Sequence, residues 1–408
     1  MRFHISSGHV AGDYPGGQLA VTIRRGAARE RPVRSDVVHF SVPPDFHTHH
    51  DAVAAAMLTL VGKHASTVEF NFPVSPHCAE LLQRYYPKLE RVEPVEPSAA
   101  PRRPGRFLGL NFSGGIDSTA VWLILRAVVG DQFRVVTSDY GGPYAFEAAG
   151  FGAFRRDVTC RTDLREKGFD WAGRFNSCVP LLYADYLDLR AQVTGHPYTL
   201  GSSQVESLRD GHPPSFLNED LVLLAGGLEE LHLLRPVFNS GPMLVVATLA
   251  PELIGNAFAA SDRPGREKHF TKGLLLRMAF ARAGRDTTHY LPQIVPPNRH
   301  IPWGEALSRD LRVLHIARQY GLEFVATYCP EIERIDPAAL RALSLEFVWR
   351  YNTNLIGLMP QGLREAVLEI FHHCGILPFN ESDFAELEAV RRLLVAAGVR
   401  YDPRPLPA

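Results

Sequence analysis

The chain has 408 residues, more than one ordinary core accommodates, and is 46% apolar against 21% charged, so a folded protein of two or three domains is expected rather than a disordered one. A formal net charge of −1 argues against a broad non-specific nucleic-acid surface and leaves room only for a local basic patch. The opening residues, MRFHISSGHVAGDYPGG, lack the basic-then-apolar pattern of a secretory signal, and no apolar run approaches the roughly 18 residues a membrane span needs, so no membrane partner is expected. Cys78, Cys160, Cys178, Cys329 and Cys374 are odd in number and widely spaced, which suits free thiols in a reducing cytoplasm.

In chain order, residues 1–92 read as an α+β domain. Leu19, Val21 and Ile23 alternate with polar or small neighbours, and VVHFSV and TVEFNF are strand-like. DAVAAAMLTLVGKH between them reads as a helix with Asp51 as its cap. The stretch from 91 to 106 carries Pro94, Pro97, Pro101 and Pro104, which fit neither a helix interior nor a central strand, so residues 93–106 read as a stiff linker. Over 107–290, RFLGLNF, QFRVVTSD and HPYTLGS are strand-like, while DSTAVWLILRAVV and CVPLLYADYLDLRAQV are helical. That alternation predicts a parallel sheet covered on both faces. Beyond 291 the strand signal fades and GEALSRDLRVLHIARQYG, DPAALRALSLEFVWRYN and DFAELEAVRRLLVAAG keep helical spacing, predicting a helical region over 291–408.

The segment NFSGGIDST joins the first strand of this alternation to its first helix. A glycine pair there lets the backbone turn tightly and approach a ligand, and the helix start aims free N–H groups at it. Ser113 and Ser118 add hydroxyls. Asp117 cannot bind phosphate itself and makes sense if Mg²⁺ lies between it and the phosphates. A glycine turn with Ser and Asp as caps is the plainer alternative for S-G-G alone. The loop is neither a Walker loop nor a dinucleotide fingerprint.

SGGIDS, Ser113 to Ser118, resembles the pyrophosphate loop (PP-loop) of the N-type ATP pyrophosphatases, which cleave ATP between its α and β phosphates and adenylate a carbonyl oxygen. Further stretches resemble the 7-cyano-7-deazaguanine synthase branch. TSDYGG matches a D-Y-G-Q motif at Asp139, Tyr140 and Gly141. GRFNSC resembles a G-R-N stretch through Arg174 and Asn176, with Phe175 inserted. TLGSSQVES, with Gly201, resembles the turn near the activated substrate. LLLRMAFARAGRDTTHY resembles the family's L-R-x-x-A-F…Y ending. The resemblance covers about 185 of 408 residues. It implies a doubly wound parallel sheet of the adenine nucleotide alpha hydrolase-like kind, with ATP held by Ser113, Gly114, Gly115, Asp117, Ser118, Thr119, Asp139, Tyr140, Gly141, Arg174, Asn176 and Gly201. Of these, Ser113, Asp117 and Ser118 would be catalytic and Asp117 would hold Mg²⁺. Turn residues (Asp139, Tyr140), surface and cap residues (Arg174, Asn176) and a solvated carboxylate (Glu206) remain the alternative readings.

The resemblance breaks at the family's zinc site. Its C-x-x-C-x-x-C falls on His269, Lys272 and Leu275, and NAFAASDRPG upstream has no cysteine, so no structural zinc is expected there. DFHTHHD, with His47, His49 and His50, could hold a metal, though a polar loop before a helix explains it as well. Lys268 and Lys272 could reach the phosphates or be surface lysines. Cys178 could face the ligand or be a buried thiol.

The expected activity is that of an ATP-dependent carbon–nitrogen ligase, forming AMP and pyrophosphate. It would join a carboxylate (small molecule, nucleobase or protein terminus) to ammonia or an amine as amide or nitrile. A sulfur transferase using Cys178, or a non-catalytic nucleotide-binding scaffold, are the alternatives. A homodimer is left open.

Overall fold

The computed structural model describes residues 1–26, 34–172, 174–197, 220–287, 289–291 and 293–399. The protein is α/β, with two five-stranded sheets and helices packed against them. The strand-like part of 198–202, together with Gly201 and Glu206, lies outside the described residues.

The first sheet is mixed, in the order β3-β2-β1-β4-β5, from β1 (Arg2–Ser7), β2 (Gln18–Gly26), β3 (Arg34–Ser41), β4 (Thr67–Val74) and β5 (Arg91–Val95). β1 pairs antiparallel with β2 and parallel with β4. In β2 the alternating Leu19, Val21 and Ile23 are the buried face, as the period of two dictates. Helix α1 (His50–Val61) is buried along nearly its whole circumference, and α2 (Pro76–Tyr85) is amphipathic. The cap of α1 is His49, whose Nδ1 accepts from the Asp51 N–H, not Asp51 as expected. Asp51 is buried instead, accepting from the Ser75 N–H and hydroxyl at 2.8 and 2.7 Å.

The second sheet comprises β6 (Phe107–Asn111), β7 (Phe133–Asp139), β8 (Val158–Arg161), β9 (Leu189–Thr194) and β10 (Glu229–His232), in the order β10-β9-β6-β7-β8 with every pair parallel. Chain order reverses at β6, which lies between β7 and β9. Two cores flank this sheet. One packs α3 (Ile116–Val129) and the later helices against Leu108, Leu110, Val135, Ala191 and Val193. The other joins the sheet's opposite face, with α4 (Cys178–Leu182) and α5 (Leu221–Ala225), to α1, α2 and the first sheet. The sheets also touch edge to edge, through a Phe40–Thr162 bridge between β3 and the end of β8.

One expectation changes here. The helix read over 178–193 stops at Leu182, and 189–194 is the buried strand β9; Asp188, at φ +54°, makes the turn between them. The proline-rich stretch, read as a stiff linker, is also anchored to the fold at two points. Pro94 sits in edge strand β5, where a missing N–H is tolerated. Arg102, with a 2% exposed side chain, pairs with Asp185 at 2.6 Å and donates to the carbonyls of Ala184, Leu189 and Gly227.

After β10 come α6 (Ser240–Leu249), α7 (Ile254–Ala259) and α8 (Glu267–Arg282), then α9 (Leu307–Tyr320), α10 (Leu322–Ala326), α11 (Pro337–Ala342), α12 (Arg364–His373) and α13 (Glu381–Ala396). The helix expected over 336–352 is only α11 followed by 3-10 turns. α13 carries the full capping box, Asn380 with Asp383. Among the described residues no single helix is long and apolar enough to cross a membrane; the apolar pair Ser240–Leu249 and Pro251–Ala259 is bent by 118°.

Candidate functional site

A cavity of about 430 Å³ opens at the C-terminal ends of β6, β7, β9 and β10. Parallel sheets gather ligands at this edge, where the strand order reverses. Of the residues singled out in the sequence, Ser113, Gly115, Asp117, Ser118, Tyr140, Arg174 and Asn176 line it. Gly114, Thr119, Asp139 and Gly141 do not line it but shape its walls. Gly114 turns at φ +75°, and a Cβ there would meet the Glu147 carbonyl oxygen at 3.0 Å and the Ala260 methyl at 3.2 Å. Thr119 is buried one turn into α3. Asp139 accepts from the Gly141 N–H at 3.0 Å, so its carboxylate holds the turn after β7, and Gly141 adopts φ +57°.

Asp117 stands in the first turn of α3, where a carboxylate is favoured by the helix dipole. Its Oδ2 accepts from Lys272 Nζ at 2.9 Å. Its Oδ1 is buried without a hydrogen-bond partner among the described residues. An orphaned charged oxygen is costly unless something else meets it. Gln192 Oε1 on β9 is in the same position, while its Nε2 donates to Ser177 Oγ at 3.0 Å. Around the loop, Ser118 Oγ donates to the Gly115 carbonyl, lies 3.2 Å from Ser113 Oγ, and Ser261 Oγ accepts from the Ile116 N–H at 3.3 Å.

The walls are cationic and aromatic. Lys272, for which a surface position is one of two readings, has only 6% of its side chain exposed and reaches the loop from α8. The Lys272 charge, and then burial, lower the pKa of Lys268 at the rim. Arg165 pairs with Glu147 and Asp170 at 3.3 Å and lies 3.3 Å over the Tyr144 ring. Burial raises the Glu147 carboxyl pKa despite that arginine. Tyr140 donates to Asn176 Oδ1 at 3.3 Å, and burial raises its phenol pKa. Arg174 pairs with Asp220 and lies 3.6 Å from Glu230, so it is neither a free surface residue nor unpaired.

The three positions where the family's zinc thiolates would fall serve other ends. His269 packs on Phe258, Lys272 meets Asp117, and Leu275 is in the core. The histidines of DFHTHHD diverge: His47 bonds the Asp45 carbonyl, His49 caps α1, and His50 bonds the Pro73 carbonyl. Cys178 is fully buried in the core shared with α1, and burial raises its pKa.

The sequence reading missed Gln192, Thr194, Gly195, His196, Glu230 and Ser261, all on the cavity wall. A Cβ on Gly195 would lie 2.8 Å from the Asp117 carbonyl carbon, so only glycine lets the end of β9 approach α3. Compared with family models, curated proteins and solved structures, the chain matches none.

Proposed function

We propose that the protein is an ATP-dependent carbon–nitrogen ligase of the 7-cyano-7-deazaguanine synthase-like kind, built on a doubly wound domain of the adenine nucleotide alpha hydrolase-like type. The observation that carries the reading is Asp117: one oxygen held by a buried lysine, the other unpartnered among the described residues, in the first turn of a helix after a Ser-Gly-Gly loop. The strand order, reversing beside that loop, agrees with it.

ATP and Mg²⁺ suit these residues. Asp117 Oδ1, without a hydrogen-bond partner among the described residues, offers the carboxylate oxygen a hard cation takes, and Ser113, Gly115 and Ser118 surround the helix start that favours phosphate. When bound, Mg²⁺ neutralises charge on the triphosphate. The chain's own part is to hold the phosphates so that a carboxylate oxygen can attack the α-phosphorus in line. A new P–O bond forms, the α–β bridge breaks, and pyrophosphate leaves. Lys272 and Lys268 face the departing charge. Ammonia or an amine then attacks the carbonyl carbon, losing a proton, and AMP departs with the oxygen. Orienting nucleophile and acyl phosphate in one cavity removes up to roughly 7–11 kcal/mol of barrier in favourable cases.

Sulfur transfer has less support, since none of the described cysteines lines the cavity and Cys178 is in the opposite core. The test follows labelled ATP with candidate acids and ammonia or amines. AMP and pyrophosphate are expected, and Asp117→Ala should abolish both while the fold persists. ADP and orthophosphate as the products would overturn the reading.

A further inference from the structure

At the far end of the cavity, β9 and β10 run side by side with His232 opposite Thr194. Glu230 and His232, two residues apart on β10, project to the same face. His196 follows Thr194 by two residues, just beyond β9. The ligand atoms of His196, Glu230 and His232 all lie within 4.8 Å of one another, and among the described residues this is the one such group of three or more. His232 Nε2 is 3.5 Å from Glu230 Oε2. That is long for a hydrogen bond, but close to the roughly 3.4 Å between two ligands on one tetrahedral ion with bonds of about 2.0–2.1 Å.

The groups behind these three fit a metal as well. Thr194 Oγ1 lies 3.2 Å from His232 Nδ1 and 3.4 Å from His196 Nδ1. A hydroxyl oxygen has two lone pairs and can accept an N–H from each ring. With Thr194 accepting from both, each imidazole is the tautomer that leaves Nε2 bare, the arrangement by which outer-shell groups orient histidine ligands. The rings lie nearly parallel, 6.2 Å apart at 29°. Arg174 lies 3.6 Å from Glu230 and has Asp220 as its other partner, and the buried Arg235 guanidinium also acts on Glu230, so a bound ion would share this carboxylate with two cations.

We propose that His196, Glu230 and His232 bind one borderline-soft divalent ion, Zn²⁺ foremost, through two imidazoles and a carboxylate. Three protein ligands leave a fourth position for water or a substrate donor atom. His196, Glu230 and Thr194 line the cavity, so that position is reached from it. The site shares the cavity with Asp117 but uses none of the loop residues, and it does not depend on the ATP reading.

The experiment uses the full chain, stripped with chelator and then titrated with Zn²⁺ against a chromophoric competitor in excess Mg²⁺, without nucleotide. One equivalent should bind, and Co²⁺ in its place should show the visible absorption of a four-coordinate ion. Glu230→Gln, which keeps the side-chain shape, and Thr194→Val should each weaken Zn²⁺ binding at least about tenfold. Circular dichroism checks that both remain folded. Asp117→Ala and His49→Ala should bind as the parent does. No Zn²⁺ uptake by the folded parent, uptake unchanged by Glu230→Gln and Thr194→Val, or uptake lost with Asp117→Ala would each overturn the proposal. ATP turnover can fail entirely without altering these outcomes.

Discussion

Lys272 has two duties that a surface lysine would not have. It balances the Asp117 carboxylate inside a wall, and it presents an ammonium to the cavity. If the proposed ATP reaction holds, Lys272→Met should lower pyrophosphate release about 100-fold, the scale of losing one preorganised charge donor. Lys268→Met, at the rim, should cost much less; equal losses in the two would contradict the asymmetry. Two other buried groups set the acid limit of the fold. Burial, then His50 and His49, lower His9 to about 4; burial, then Arg282, lower His315 to about 3. Both values are below the unfolded 6.5, so the unfolded chain takes up protons first as pH falls. Stability from keeping these rings neutral is intact above about pH 6.5 and is lost as pH drops towards 4, by on the order of 1–2 kcal/mol per ring at pH 5. Urea unfolding at pH 7.5 and 5 should show the loss, and His315→Phe, against Trp349, should flatten it. A pH slope unchanged in that variant would rule out His315 as a cause.

The loop between β6 and α3 divides its labour between two adjacent glycines. Gly114 has a left-handed backbone and no room for a Cβ, whereas Gly115 has φ −75° and nothing nearer than 3.5 Å. Gly114→Ala should destabilise by roughly 1–3 kcal/mol. Gly115→Ala should cost about 1 kcal/mol or less yet, on the proposed function, impair ATP use, because it adds a Cβ to a residue lining the cavity where phosphate is proposed to sit. Thermal melts beside pyrophosphate assays separate the two; a stable, active Gly114→Ala would contradict the geometry. This loop was legible because an apolar strand, a glycine pair and a helix start are contiguous. The wall opposite was not. Leu189, Ala191 and Val193 are as apolar as the helix before them, and no glycine or proline marks the turn at Asp188. Gln192, His196, Glu230 and His232 meet only because β9 and β10 pair, a contact between stretches over thirty residues apart with no local motif. Lys272 was visible as a residue but not as buried, since helix spacing does not reveal which charge awaits it across the fold.

Over the whole molecule, Arg102 joins parts that the sequence presents as separate. Its guanidinium ties the 93–106 stretch to Asp185 and to carbonyls before β9 and β10. Arg102→Met should destabilise by about 3–5 kcal/mol, as for one partner removed from a buried pair. Limited proteolysis should spare residues 94–104 in the parent and cut them in the variant. Early cleavage there in the parent would show that the clamp does not hold. The burial of α1 has a consequence for synthesis. One side of this helix meets the first sheet and the other meets α4 and α5, whose residues follow it by more than a hundred positions. As the chain leaves the ribosome, the first sheet can close on one flank of α1 long before anything exists to cover the other. Folding of the amino-terminal third must then wait, with an oily flank turned to water or a chaperone, until the chain has been translated past Ala225.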